Sequence, residues 1–299
     1  MIIVIIGPTA SGKTTLVKKI YKYFNNPLII NGDAFQIYQE MNIGTAKISS
    51  DDSLFAHYSL LNLKTPDEIY SIRDYQKDFR YAVDKALKDK KDVIVVGGSG
   101  LYIRAALFDY KFVDAPSDKN FVLDEKMSNG ELHDLLTKKD PVSASKIHPN
   151  NRKRVIRALE IFFESGKTKS AIIKEQKHEL MYQDVHFFFI NPNREQLYQR
   201  IENRVEEMFL DGLIDEVKNL LKRYNLSLTA KEAIGYKETI QYLEGKMSLE
   251  ETKTSIKKRT RNYAKRQITF FKHQFVSEEF KSVEDLEMKI ENWRKDNGQ

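Results

Sequence analysis

The sequence predicts a parallel α/β sheet flanked by helices and interrupted by a helical insertion, and three observations predict it. Short, purely apolar runs rich in β-branched residues recur at Ile2–Ile6, 28–30 and 93–96, without the polar alternation of a half-exposed strand. Segments with helical apolar spacing separate them, the order that wraps a parallel sheet on both faces. The first run passes straight into Gly7-Pro8-Thr9-Ala10-Ser11-Gly12-Lys13-Thr14, a glycine-framed turn between a strand and a helix.

Taken in order, Ile2–Ile6 is a buried strand and 15–24 a helix, through Leu16, Ile20 and Phe24. Asn25-Asn26-Pro27 breaks it before the second strand, 28–30, which ends at Asn31-Gly32-Asp33. Phe79, Val83 and Leu87 place an amphipathic helix over 75–88, and the third strand, 93–96, closes on Gly97-Gly98-Ser99-Gly100. From 113 to 181 the pattern is helical without a convincing strand, punctuated by Pro116, Pro141 and Pro149. A strand returns at 186–190, and the remainder is helical through Leu197, Ile201, Val205 and Met208, then Ile214, Val217 and Leu220. The expected organisation is therefore a core of 1–112 and 182–299 with an insertion domain at 113–181.

The chain has 299 residues, 31% of them charged, and no cysteine, which excludes disulfides, thiolate metal sites and a cysteine nucleophile. No run approaches the roughly 18 apolar residues of a membrane span. The N-terminal apolar run lacks a positive flank and a cleavage site, so a cytoplasmic protein is expected. Net charge is +6, unevenly spread. Residues 252–277 hold eight lysines and arginines and no acid, and a second cluster holds Lys146, His148, Arg152, Lys153, Arg154 and Arg157.

The turn at 7–14 matches the P-loop pattern Gly-x4-Gly-Lys-Ser/Thr in its required context. Its amides point inward at phosphate oxygens, the following helix directs its positive end at the same place, Lys13 adds a point charge, and Thr14 can ligate a magnesium ion. Read alone, such a loop suggests ATP. A phosphoryl-transfer site, however, places an Asp after a later strand, and here 93–96 ends in glycines and Ser99. The early acid, Asp33, stands instead at the carboxyl end of the second strand, where a parallel sheet puts its ligands, and on this ground alone it is either a site residue or a helix N-cap or turn residue.

Together with the P-loop, Asp33-Ala34-Phe35-Gln36-Ile37-Tyr38, Asn42-Ile43-Gly44-Thr45-Ala46-Lys47, Gly97-Gly98-Ser99-Gly100-Leu101-Tyr102 and Asp140-Pro141 resemble, in order, the tRNA dimethylallyltransferase (tRNA isopentenyltransferase) family. So do His148-Pro149-Asn150, Arg157-Ala158-Leu159-Glu160, Ala233-Ile234-Gly235-Tyr236-Lys237-Glu238 and Thr260-Arg261-Asn262-Tyr263-Ala264-Lys265-Arg266-Gln267-Ile268-Thr269. The similarity runs from residue 2 to about 272. It implies a P-loop NTPase-like core, a monomer, and transfer of a dimethylallyl group from its diphosphate to N6 of the adenosine at tRNA position 37, beside the anticodon. It implies Asp33 as general base with Ser99, where the family usually has Thr, and Lys13 as further catalytic groups. Gly7, Thr9, Ala10, Ser11, Gly12, Lys13 and Thr14 would hold the diphosphate, with Mg2+ on Thr14. Asp33, Ala34, Phe35, Gln36 and Ser99 would face the target base. Lys153, Arg154 and Arg157 in the insertion and Lys257, Arg261, Lys265 and Arg266 near the C-terminus would grip the anticodon stem-loop. An adenine-edge reader is expected at Gln36, and structural roles are expected for His57, Tyr102 and Tyr236. Rival readings are an adenylate isopentenyltransferase, a P-loop small-molecule kinase and a non-catalytic RNA-binding protein.

Overall fold

A computed structural model describes residues 1–112 and 126–296; Pro116 and the expected insertion start at Val113 lie outside them. Strands β1 (Ile2–Ile6), β2 (Leu28–Asn31), β3 (Tyr58–Ser59), β4 (Val93–Gly97), β5 (Val185–Ile190) and β6 (Glu278–Phe280) form one parallel sheet in the order β3-β2-β4-β1-β5-β6. The register pairs Ile2 with Val93 and with Val185, which puts β1 at the centre. All five β1 side chains are buried, as a strand covered on both faces requires.

Helices α1 (Lys13–Ile20), α2 (Ile72–Lys88) and α3 (Gly100–Leu107) follow β1, β3 and β4. α1 is shorter than the expected 15–24: Tyr21–Tyr23 tightens into a 3-10 turn before Pro27. α2 begins three residues before the expected 75, because Ser71 and Asp74 form a reciprocal cap that sets its first turn. Leu16, Val17 and Ile20 of α1 pack with β1 residues Ile3 and Ile5 and with three apolar residues from near the C-terminus, Val283, Leu286 and Ile290. This is a P-loop NTPase-like α/β fold.

The described residues fall into two compact units, Met1–Leu107 with Tyr182–Gln299, and Phe108–Met181. The second is helical: α4 (Asn129–Lys139), α5 (Pro141–Ala144), α6 (Arg152–Ser165) and α7 (Lys169–Glu175) enclose Leu132, Leu136, Val155, Ala158 and Leu159. Asp140 is buried and knits this unit together. Its carboxylate accepts the Ser143 amide at 3.0 Å and the Ser170 hydroxyl at 2.6 Å, capping α5 and tying α7 to it.

In the first unit, α8 (Arg194–Leu210), α9 (Leu213–Arg223), α10 (Leu228–Lys231), α11 (Tyr236–Leu243), α12 (Leu249–Gln274) and α13 (Val283–Asp296) complete the chain. α12, capped by Ser248 and Glu251, packs along α8, α11 and α3. Short β3 and β6, which the sequence reading does not name, extend the sheet at its two edges.

Candidate active site

Three loops at the carboxyl ends of β1, β2 and β4 meet over the sheet, where parallel sheets place ligands. With α8 and α12 they enclose a cavity of about 670 Å3 lined by P-loop residues 9–14, Asp33, Phe35, Gln36, Arg204, Tyr263 and Gln267, among others. A second cavity, of about 840 Å3, shares Arg204, Glu207 and Met208 with it.

The P-loop turns at Gly12, whose φ of 91° is a left-handed conformation open to glycine, and Lys13 then starts α1. Lys13 Nζ reaches back to donate to the carbonyls of Gly7 at 2.9 Å and Pro8 at 2.7 Å. Burial pulls the Lys13 ammonium down to about 7, against the Asp33 carboxylate, which holds it up, and with the Arg204 cation, which lowers it further. A diphosphate beside it restores the charge. We therefore expect ligand binding at pH 8 to take up close to one proton at Lys13, and the uptake to vanish below about pH 6. Calorimetry of inorganic diphosphate in buffers of different ionisation enthalpy measures this, with the permanently charged Lys13→Arg variant as the reference that removes the pH-dependent part.

Asp33 is held by its backbone: its amide donates to Asn31 Oδ1 and its carbonyl accepts from Asn31 Nδ2, both at 3.0 Å. Its Oδ1 accepts the Phe35 amide at 2.9 Å. The carboxylate lies within electrostatic range of Lys13, Arg204 and Tyr263. Ser99 Oγ accepts the Ala34 amide at 3.0 Å and meets the Tyr263 phenol, so it frames the Asp33 loop. Ala34 and Ser99 are not among the cavity-lining residues, whereas Asp33, Phe35 and Gln36 are. Gln36 Nε2 donates to the Thr45 carbonyl at 3.1 Å, which turns its amide nitrogen toward the backbone.

Thr9 also departs from the simple picture of a loop whose every amide awaits phosphate. Its amide donates to Gln267 Oε1 at 2.9 Å, and its hydroxyl accepts from Arg204 Nη1 at 2.8 Å. Sequence reasoning missed Arg204. The signal was there: Arg204 sits three residues after Ile201 and four before Met208, on the apolar stripe of α8, where a cation needs a reason. Its Nε has no hydrogen-bond partner among the described residues.

Thr14 stands exposed in the first turn of α1 on the cavity wall. No group of three or more His, Cys, Asp or Glu that could hold a metal occurs among the described residues. A hydroxyl with few protein ligands fits magnesium, which keeps its waters and takes the rest of its shell from phosphate oxygens.

The basic stretches differ in how far they are neutralised. On α12, Lys253 and Lys257 pair with Glu206 of α8, Arg261 with Glu202, and Arg259 with Glu238 of α11. Lys258 is exposed, Lys265 contacts Tyr198, and Arg266 stacks over Tyr263 on the cavity wall. In the helical unit Lys153 and Arg154 are exposed, and Arg157 pairs with Glu160 at 3.0 Å. Lys169, which sequence reasoning also missed, is pushed down by burial and then by the charges of Arg154 and Arg157. Cations held close enough to repel one another suit a polyanion. The other expectations concern structure: the His57 ring bonds Tyr21 Oη at 2.9 Å, Tyr102 packs on Tyr75, and buried Tyr236 donates to Glu216 at 2.6 Å.

No helix among the described residues is long and apolar enough to cross a membrane. A family model described as IPP transferase matches residues 36–274. The chain is 42% identical to the tRNA dimethylallyltransferase of Anoxybacillus flavithermus over 285 residues, 95% of this chain and 91% of that one. It is 42% identical to the Bacillus licheniformis protein of the same name, over 91% and 88% of the two chains. The tRNA delta(2)-isopentenylpyrophosphate transferase structure from Staphylococcus epidermidis aligns with a TM-score of 0.72 at 34% identity, covering 99% of both chains. A eukaryotic dimethylallyltransferase solved acting on tRNA aligns with a TM-score of 0.76 at 32% identity, over 90% of this chain and 69% of that one. The P-loop cavity and these relatives agree, and the chain belongs to the IPP transferase family.

Proposed function

We propose that the protein transfers the dimethylallyl group of dimethylallyl diphosphate to N6 of the adenosine 3′ of the anticodon, position 37 of tRNA, in the cytoplasm and as a monomer. The observation that carries this reading is that one cavity holds a carboxylate, Asp33, opposite a cationic phosphate cradle, Lys13 and Arg204 on the P-loop side. An adenine amino group is a weak nucleophile because its lone pair is delocalised into the ring. Asp33 takes its proton as the new C–N bond forms. The allylic C–O bond breaks and both its electrons leave with the diphosphate. The P-loop amides, Lys13 and Arg204 receive that negative charge. Thr14 would hold Mg2+, which would supply charge neutralisation to the leaving group.

The acceptor enters as a polyanion, and the least neutralised cations, Lys153, Arg154 and Lys258, carry its phosphates. Charge-neutral variants at Lys153 and Arg154 are expected to flatten the salt dependence of tRNA binding by about two counterions, whereas Arg261→Gln changes it little because Glu202 already matches Arg261. Filter binding at several salt concentrations reads both slopes.

The assay that tests the function supplies radiolabelled dimethylallyl diphosphate with unmodified tRNA or with AMP, without ATP. Label in tRNA alone supports the reading. Label in AMP makes the protein an adenylate isopentenyltransferase, and no label in either acceptor, with phosphoryl transfer in a separate arm that contains ATP, makes it a kinase.

A further inference from the structure

One side chain links the phosphate loop to the helix that faces it. Gln267 lies on α12, four residues after Tyr263, and is 5% exposed. Its Oε1 accepts the Thr9 amide at 2.9 Å and its Nε2 donates to the Gly98 carbonyl at 2.9 Å. The clasp therefore closes the β1–α1 loop onto the β4–α3 loop. It needs glycine at 98, because a Cβ there would lie 2.3 Å from Gln267 Nε2. The Tyr263 phenol interacts with both Gln267 and Ser99. On the other side of Thr9, the hydroxyl holds Arg204 at 2.8 Å. Gln267, Thr9 and Arg204 thus form one chain of hydrogen bonds through the cavity wall.

We propose that Gln267 is a positioning residue that couples α12 to the phosphate loop: by fixing Thr9 it fixes the guanidinium of Arg204 where the departing diphosphate forms. The inference rests on the prenyl-transfer reading for its catalytic part and on diphosphate binding for the rest. Three features support it. The Thr9 amide is spent on Gln267, so the loop contributes this residue as a support for Arg204. Gln267 is almost fully enclosed and both ends of its amide are used, so its orientation is fixed by the two loops it joins. And α12 carries Arg259, Thr260, Tyr263 and Arg266 into the same cavity wall, so a shift of α12 on binding an acceptor reaches Arg204 through this clasp.

The experiment is a double-mutant cycle on the full chain. Thr9→Val keeps the shape and amide of Thr9 but removes the acceptor for Arg204. Gln267→Met keeps a similar length without hydrogen bonds, and Thr9→Ser restores the hydroxyl. Affinity for inorganic diphosphate, kcat and KM with tRNA, and melting temperature are measured for each. We expect Thr9→Val and Gln267→Met each to weaken diphosphate binding about tenfold and to lower kcat about a hundredfold, the scale of a misplaced charged group, with KM for tRNA unchanged. Thr9→Ser stays near wild type, and the double variant is no worse than either single one, because both act through Arg204. Losses that multiply in the double variant overturn the coupling. So does a Gln267→Met variant whose kcat falls only in step with its folded fraction. A wild-type protein that binds diphosphate but prenylates no tRNA refutes the functional reading instead, and the diphosphate half of the cycle then decides the coupling alone.

Discussion

Asp33→Asn is expected to lower kcat by about 10²–10⁴ while diphosphate binding survives. The substitution is nearly isosteric, and the loop does not depend on the charge. Asn31 holds the backbone of residue 33 at both its amide and its carbonyl, and an Asn oxygen still accepts the Phe35 amide. What disappears is the proton acceptor. Without it the amino group must either attack while still carrying both protons, leaving a cationic nitrogen, or give a proton to water, a weaker base than a carboxylate. Rapid-quench turnover with tRNA measures the loss, and calorimetry with inorganic diphosphate shows whether the cradle is intact. A variant that turns over at the wild-type rate removes Asp33 from the chemistry. A variant that loses both turnover and diphosphate binding shows that the loop collapsed. The substitution also removes the negative charge that holds the Lys13 ammonium up, so the proton uptake that accompanies diphosphate binding should extend to lower pH.

The sequence made the centre of the fold legible and left its margins dark, for physical reasons. β1, β2 and β4 lie inside the sheet, so apart from Asn31 and Gly97 at their ends their residues are apolar and the runs stand out. β3 is two residues long, and β6 is Glu278-Glu279-Phe280 at an exposed edge. Neither strand needs an apolar face, and each exists because a neighbouring strand offers it hydrogen-bond partners. α13 does carry the spacing Val283, Leu286, Ile290, yet its role in backing α1 and Gly12 depends on a chain reversal that spacing does not encode.

The site divides in the same way. Asp33 and the P-loop are local features, each a loop after a strand, and a single segment displays them. The charge of α12 is not local. Read along the chain it has no acids nearby, but the packed helix meets Glu202 and Glu206 of α8 and Glu238 of α11, so half of its apparent basicity is internal. The cations Lys153 and Arg154 of the helical unit stay exposed, whereas four of those on α12 face acids of neighbouring helices. Gln36 shows the converse: its type was legible, but which end of its amide faces outward is decided by the Thr45 carbonyl, nine residues away.

Arg204→Gln is expected to cost nearly as much as loss of Asp33, by the opposite route. Arg204 is half-buried on the apolar stripe of α8, its Nη1 committed to Thr9 and its buried Nε without a hydrogen-bond partner among the described residues. Burial lowers its ordinarily very high proton affinity, while Asp33 and Glu207 raise it, and a guanidinium still remains charged at any working pH. Such a cation is costly to desolvate for stability alone, and the cost is explained if a polyanionic diphosphate is to arrive beside it. Removing it should lower kcat about 10²–10³ through the leaving diphosphate, the scale of a lost preorganised donor, and raise KM for the prenyl diphosphate while leaving KM for tRNA unchanged. Because glutamine relieves a buried charge, the variant should melt no lower than the wild type in the absence of ligand, and should gain less melting temperature than the wild type when diphosphate is added. Thermal scans with and without inorganic diphosphate, run beside the kinetics, test both halves. An Arg204→Gln protein that melts early and binds diphosphate normally would make Arg204 a structural brace for α8, and Lys13 with the loop amides would then carry the leaving group alone.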